Sequence, residues 1–166
     1  MTEETNNKLS ETLAICDLHY QRMRFAYSGI EKYFPLTEFN FSQTSPMDLA
    51  LFDQLIYRFS KLQDSMGSRL FKQLLELLEE DISGLPFLDV LYKMEKLHLI
   101  ESAKDWISLR QTRNTVSHEY PFYKEIQIEE LNLLPEEVEK QAGIWLNLKE
   151  YALRRLTTKS ERQDKL

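Results

Sequence analysis

Apolar residues recur along the chain at alternating steps of three and four, which is the spacing of a buried helix face. In the first segment this stripe consists of Leu9, Leu13, Cys16, Tyr20, Met23, Tyr27, Ile30 and Phe34. The stripe predicts a helix from about Glu3 to Phe34. The helix should end there because the residue before a proline, here Pro35, is pushed out of the helical region.

A second long helix is predicted to begin after Ser45, where a cap residue is followed by Pro46 and Asp48. Its stripe continues through Leu51, Leu55, Phe59, Leu62, Met66, Leu70, Leu74 and Leu77. Gly67 lies in the middle of this helix and costs roughly 1 kcal/mol relative to alanine at an exposed position. We therefore expect another helix, of this chain or of a second subunit, to approach closely at Gly67.

Three shorter helices complete the pattern. The first is predicted from Pro86 to about Leu97, and the second from Ala103 to Ser117 after the capping pair Ser102 and Asp105. The last begins at Pro135, and its stripe consists of Val138, Ala142, Trp145, Leu148, Ala152 and Leu156. We expect both tryptophans, Trp106 and Trp145, to be core residues or dimer anchors rather than platforms on which bases stack.

Two segments lack a helical period and are predicted to be connectors. In the segment 35–45 we expect Phe39 and Phe41 to fold back on the end of the bundle. In the segment 122–134 apolar residues alternate, at Ile126, Ile128 and Leu131. This alternation suits a short strand, but a lone strand would have no partner, so a connector is the better interpretation.

Together these elements predict an all-α fold, an up-down helical bundle of about five helices. The length fits one domain, since a domain usually takes about 100–200 residues. We assign it to residues 1–156 and expect the polar tail 157–166 to fray.

Charge and cysteine content narrow the functional classes. The net charge of −6 argues against a general nucleic-acid coat, because phosphate binding depends on clustered positive charge. Residues 93–124 have six basic and four acidic side chains, and the rest of the chain is acidic overall. A weakly basic binding surface and ordinary solvated helix faces both remain open as explanations.

The single cysteine, Cys16, falls on the apolar stripe and is better explained as a core residue than as a nucleophile. The N-terminus resembles no secretory signal, and no stretch approaches the roughly 20 apolar residues that cross a bilayer. We therefore expect a soluble cytoplasmic protein that does not bind membranes. Metal-ligand spacing and a glycine-rich phosphate loop are both absent from the sequence, so we expect no metal or cofactor.

Candidate chemistry concentrates in the segment 109–121, which reads LRQTRNTVSHEYP. Arg113 and Asn114 are followed by His118 and Tyr120 at the predicted end of a helix that Pro121 forbids from continuing. Arginine offers a planar, permanently charged group for phosphate oxygens, and histidine can exchange a proton near neutral pH. Together they would suffice for metal-independent cleavage of RNA by its own 2′-hydroxyl.

A single histidine of this kind leaves the second proton transfer unassigned. A two-fold homodimer would supply it by bringing two copies of the segment to one cleft. The candidate RNA-binding residues around Arg113 and His118 are Lys104, Arg110 and Lys124.

The pattern Arg113, Asn114, His118 and Tyr120 in an all-helical chain resembles the HEPN superfamily, and within it the HepT-type toxins that pair with a small MNT-type nucleotidyltransferase. The resemblance also covers Trp106 and Leu109 and extends to about Leu156. The segments 35–45 and 122–134 read as insertions, because many HepT-type toxins are shorter.

This resemblance implies a dimeric, metal-independent endoribonuclease toxin with Arg113 and His118 catalytic and Asn114 supporting. It also implies that the partner antitoxin silences the toxin by transferring AMP to Tyr120, where a bulky charged group would block the RNA phosphate.

Two other interpretations stay open. A non-catalytic HEPN domain would bind a nucleotidyltransferase or a nucleotide and cleave nothing, which would suit the acidic surface. A purely structural helical module would use His118 only to cap a helix C-terminus. The other two histidines, His19 and His98, lack ligand-spaced companions and are predicted to lie on the surface.

Overall fold

The computed structural model describes residues 3–117 and 124–163, and all regular structure in those two ranges is helical. The elements are α1 (Glu3–Ile30), a 3₁₀ turn (Glu31–Tyr33), α2 (Glu38–Ser42), α3 (Pro46–Ser65), a π-helical turn (Met66–Leu70), α4 (Phe71–Leu77), α5 (Phe87–Lys96), α6 (Ala103–Val116), α7 (Lys124–Leu131) and α8 (Leu134–Gln163). The predicted all-α class is confirmed.

The long helices α3 and α8 both run antiparallel to α1. Along α1 and α3, His19 contacts Arg58, and a Cβ at Gly29 would meet Leu51. Two ion pairs join α8 to another side of α1: Asp17 pairs with Lys149, and Arg24 pairs with Glu139. Residue numbers rise along α1 as they fall along α8, so these two helices are antiparallel. The core between these helices contains Cys16, Trp106 and Trp145, all buried as predicted.

Side-chain caps begin the helices where the sequence predicts them. The Ser45 hydroxyl accepts a hydrogen bond from the Asp48 amide at 3.1 Å, and Pro46 occupies the first turn of α3. The Ser102 hydroxyl accepts from the Lys104 and Asp105 amides at the start of α6. These bonds satisfy amides that the first turn of a helix cannot pair internally.

The first predicted connector contains a helix. A capping box formed by Thr37 and Asn40 starts α2 within the segment 35–45. Phe41 packs edge-to-face on Phe52 with ring centroids 5.8 Å apart, as expected for a ring that folds back. The same expectation is wrong for Phe39, which is 77% exposed.

The second predicted connector is also wrong in part, because residues 124–131 form α7. Ile128 and Leu131 lie three residues apart on one helix face and are both buried. Asn132 then ties this end of the bundle together, since its side chain accepts from the Leu36 amide and donates to the Leu36 carbonyl. The final helix α8 likewise continues to Gln163, beyond the predicted end near Leu156.

A π-helical turn at Met66–Leu70 joins α3 to α4 without ending the helix. Four buried residues cross it at successive steps of four: Leu62, Met66, Leu70 and Leu74. On an ideal α-helix, three such steps would rotate the direction of the last side chain by about 120° relative to the first, away from the core. One extra residue in the wider π turn reduces that drift to about 20°, so all four side chains stay inside.

Candidate functional site

The arginine of the motif lies on the last turn of α6 and is held from two sides. Its Nη1 donates to Asn114 Oδ1 at 3.1 Å, and its Nη2 donates to Asp64 Oδ2 on α3, also at 3.1 Å. The remaining nitrogen, Nε, is buried and has no hydrogen-bond partner among the described residues. Two of the four residues predicted from the motif, Arg113 and Asn114, are therefore in direct contact.

The hydroxyl groups that follow Arg113 bond within their own helix. Ser117 donates to the Arg113 carbonyl at 2.7 Å, and Thr115 donates to the carbonyls of Gln111 and Thr112. The end of α6 is thus well defined up to Ser117. His118 and Tyr120, the other two motif residues, lie outside the described residues, as does the side chain of Lys124.

A cavity of about 440 Å³ opens beside the Arg113 guanidinium, between α6, the π turn and α5. Its lining combines aromatic, polar and cationic side chains from five helical segments: Gln63, Asp64, Gly67, Ser68, Lys72, Phe87, Trp106, Arg110 and Arg113. A π turn inside a helix frequently marks a functional site. Here the π turn contributes Gly67 and Ser68 to the cavity wall.

Gly67 allows the aromatic floor of this cavity to approach the helix backbone. A Cβ atom at Gly67 would lie 3.1 Å from Trp106 Cζ2 and 3.5 Å from Phe87 Cζ. The close approach expected at Gly67 is therefore confirmed, and the approaching elements are α5 and α6 of the same chain. A side chain at residue 67 would project between the two rings.

Among residues 3–117 and 124–163, three cations and one carboxylate surround the opening. Arg110 places its guanidinium over the Phe87 ring, 5.4 Å from the centroid, and Lys72 reaches the cavity from α4. Arg113 and Asp64 complete this set as an ion pair that is partly exposed. The excess of positive charge suits an anionic ligand, in contrast to the acidic charge of the whole chain.

Sequence reasoning selected some of these residues and missed others. Arg110 lines the cavity, whereas Lys104, on the exposed first turn of α6, does not. Asp64 and Lys72 were missed, because each is an ordinary charged residue on a helix face until the fold brings it to Arg113. The signal available in the sequence was Gly67, which lies between them.

Other candidate groups do not form a second site of this kind. Cys16 is fully buried, and this burial raises the pKa of its thiol to about 12, so it is a poor nucleophile. His19 accepts a hydrogen bond from Arg58 Nη1 at 3.0 Å; burial, followed by the charges of Arg58 and other cations, lowers its pKa. His98 lies in a turn with φ of 56°.

A second, smaller cavity of about 230 Å³ lies between the start of α6 and the middle of α8. Its charged lining consists of the carboxylates of Glu101, Asp105 and Glu139 and the ammonium group of Lys140, and Glu139 pairs with Arg24. In residues 3–117 and 124–163 no group of three or more His, Cys, Asp or Glu side chains is placed to hold a metal ion. Nor is any helix in these ranges both long and apolar enough to cross a membrane.

Comparison with known proteins identifies no relative of this chain. No protein-family model, curated protein or solved structure matches the chain. Function is therefore inferred from the chemistry of the cavity and of the segment that follows α6.

Proposed function

We propose that this protein is a metal-independent endoribonuclease, acting as the toxin of a toxin–antitoxin pair. The observation that carries the proposal is the position of Arg113, held by Asp64 and Asn114 at the opening of a cationic cavity. A fixed guanidinium at such an opening can bind an RNA phosphate and stabilise the charge that builds on it. His118 follows five residues later in the chain and supplies the proton-transfer group.

In the proposed reaction the ribose 2′-oxygen attacks the adjacent phosphorus. The bond from phosphorus to the 5′-oxygen of the next nucleotide breaks as the bond to the 2′-oxygen forms. The products are a 2′,3′-cyclic phosphate and a 5′-hydroxyl. His118 removes the 2′-hydroxyl proton or protonates the leaving oxygen, and Arg113 stabilises the phosphorane-like charge.

The second proton transfer is assigned to a second copy of the chain in a two-fold dimer. A stripe of exposed apolar side chains on one face of α1 supports self-association of the chain: Ile15, Leu18 and Phe25 are 36%, 45% and 72% exposed. We expect light scattering to give twice the chain mass, and Phe25→Glu to shift the protein towards monomer. A monomeric native protein would contradict the dimer.

Silencing is proposed to occur by transfer of AMP from a nucleotidyltransferase antitoxin to Tyr120. Tyr120 lies two residues beyond His118 in the sequence, so a phosphodiester there would add negative charge close to the proton-transfer group. Mass spectrometry of the protein purified with and without its antitoxin would detect the added nucleotide.

The test is RNA cleavage in the presence of EDTA, on a mixture of tRNA and mRNA. We expect the native protein to cleave, and His118→Ala and Arg113→Ala to lose activity by a factor of about 100 or more. Two matched controls should keep full activity. Arg22→Ala removes an exposed arginine from α1. His98→Asn removes an exposed histidine and replaces it with a residue that also tolerates the positive φ at this position.

Equal cleavage by the native protein and both motif variants would indicate a contaminant and overturn the proposal. So would the absence of cleavage by all of them.

One observation favours a second function: the guanidinium of Arg113 is already paired with the carboxylate of Asp64. A guanidinium paired with a carboxylate stabilises less of the charge that builds on a reacting phosphate, which suits a non-catalytic HEPN domain that binds a nucleotidyltransferase or a nucleotide. Calorimetric titration with ATP and AMP would distinguish the two functions when combined with the cleavage assay. Nucleotide binding without any cleavage would support the binder.

A further inference from the structure

The cavity beside Arg113 is larger than a phosphate requires. Its volume of about 440 Å³ lies within the usual range for small-molecule sites, about 300–1,000 Å³, and its floor is aromatic rather than charged. We propose that this cavity binds one unstacked base of single-stranded RNA. This inference rests on the proposed function for the identity of the ligand and adds the part of the substrate that the cavity recognises.

Stacking surfaces are already assembled at the cavity wall. Phe87 lines the wall, and the Arg110 guanidinium lies over its ring. The ring of Phe87 is also parallel to that of the fully buried Phe71, with centroids 6.5 Å apart and an interplanar angle of 5°. Arg110 is exposed, so its planar group can also stack on a base. Proteins that recognise single-stranded RNA stack unpaired bases on aromatic rings and on arginine planes in this way.

Polar groups border the aromatic floor and suit the edge of a base. Gln63 contributes a buried amide, and Asp64 contributes a carboxylate. The Ser68 hydroxyl donates to the Asp64 carbonyl at 2.6 Å, which leaves its oxygen lone pairs to accept from a ligand. An aromatic floor with polar groups on one side is the arrangement that binds a flat ring with hydrogen-bonding edges.

The cations lie where the phosphates on either side of that base would pass. Arg110 and Arg113 are three residues apart on one face of α6, and Lys72 faces them from α4. A nucleotide with its base in the cavity would thus place backbone phosphates against charges on both sides. Double-stranded RNA cannot present a base to a cavity in this manner, so the proposal predicts a single-strand ligand.

The test uses hexanucleotides whose 2′-hydroxyls are methylated, because these cannot be cleaved by 2′-oxygen attack. Binding to the native protein is measured by fluorescence anisotropy and compared with an abasic hexamer of equal phosphate number. We expect the intact hexamers to bind about 5- to 100-fold more tightly, since stacking of one base supplies that range. Equal affinities, or no binding of either hexamer, would overturn the proposal.

Two variants separate the cavity from the phosphate contacts. Ser68→Trp fills the cavity from its exposed rim and should bring intact and abasic hexamers to the same affinity. Arg110→Lys keeps the charge but loses the planar surface, and should lower the ratio of the two affinities. Ser10→Trp is the matched control, since Ser10 is an exposed serine whose hydroxyl also bonds to its own helix.

A Ser68→Trp variant that keeps the native ratio would overturn the assignment of the base to this cavity. Failure of the ribonuclease proposal has a different signature, because base-dependent binding without cleavage of unmodified RNA would leave the cavity assignment standing. Cleavage without base-dependent binding would support the ribonuclease proposal and overturn the assignment of the base to this cavity.

Discussion

Arg113 and Asp64 are separated by 49 residues in the chain, and their side chains meet at 3.1 Å across the gap between α6 and α3. The pair is partly exposed, and such pairs contribute only about 0.2–1 kcal/mol to stability. Its importance is therefore in the orientation and charge of the guanidinium rather than in holding the bundle together. Asp64 sets how much positive charge the cavity presents to a phosphate.

Asp64→Asn should strengthen RNA binding. It removes the carboxylate that competes with phosphate for Arg113, and two charges about 4 Å apart interact by about 1 kcal/mol in water. We expect the dissociation constant for uncleavable RNA to fall about fivefold at low salt, with the melting temperature almost unchanged. Asp53→Asn, an exposed position on the same helix, is the control. Weaker or unchanged binding by Asp64→Asn would show that the carboxylate orients Arg113 rather than competing for it.

Alanine at Gly67 should destabilise the fold. The new Cβ would lie 3.1 Å from Trp106, a buried ring that also contacts Phe71 at 4.5 Å between centroids and cannot move freely. Overpacking of this kind costs about 1–3 kcal/mol, measurable by denaturant unfolding. The matched control is Gly143→Ala in α8, where no atom lies within 4 Å of the added Cβ. That change should be stabilising by up to about 1 kcal/mol, so the two variants are expected to differ in sign.

Stability should decline in mild acid because of His19. Burial and the neighbouring charge of Arg58 lower its pKa below the ordinary 6.5, so the unfolded chain takes up a proton at a higher pH than the folded chain. The stability that neutral His19 contributes is therefore fully present above pH 6.5, the ordinary pKa of histidine, and is lost as the pH falls through the lower pKa of the folded state.

His19→Gln can still accept from Arg58 but cannot be protonated. Comparing its free energy of unfolding with that of the native protein across this pH range should show a smaller decline for the variant. Parallel curves would contradict the assignment.

Cys16 should be unreactive in the folded protein. Its thiol is fully buried and its pKa of about 12 leaves almost no thiolate at neutral pH. We expect a thiol reagent such as Ellman's reagent to label the native protein very slowly, and to label one thiol per chain rapidly in denaturant. Rapid labelling under native conditions would mean that α1 opens readily from the bundle.

Helices with strong caps and long apolar stripes could be predicted from the sequence. The local hydrogen bonds of Ser45 and Ser102 define the starts of α3 and α6, and no distant residue is needed to form them. The short helix α7 escaped prediction because its stability depends on remote contacts. Asn132, for example, connects the end of α7 to Leu36, which is 96 residues earlier.

The motif on α6 could also be recognised from the sequence, but the cavity beside it could not. Arg113 and Asn114 are neighbours in the chain, so the hydrogen bond between them needs no distant residue. Asp64 and Lys72 join them only through the packing of α3 and α4 against α6. A helical stripe indicates which face is buried, but it does not indicate which charged residues of other helices will border an opening.

In the π turn Met66–Leu70, the number of residues matters more than the identity of the exposed side chain at Ser68. Ser68 is exposed, and many residues could replace it without disturbing the core. Inserting one more residue after it, however, would exceed what a single π turn absorbs and would rotate everything beyond by about 100°. Leu70 and Leu74 would then turn away from the core, and Lys72 away from the cavity. At this position the fold depends on the number of residues more than on their identity.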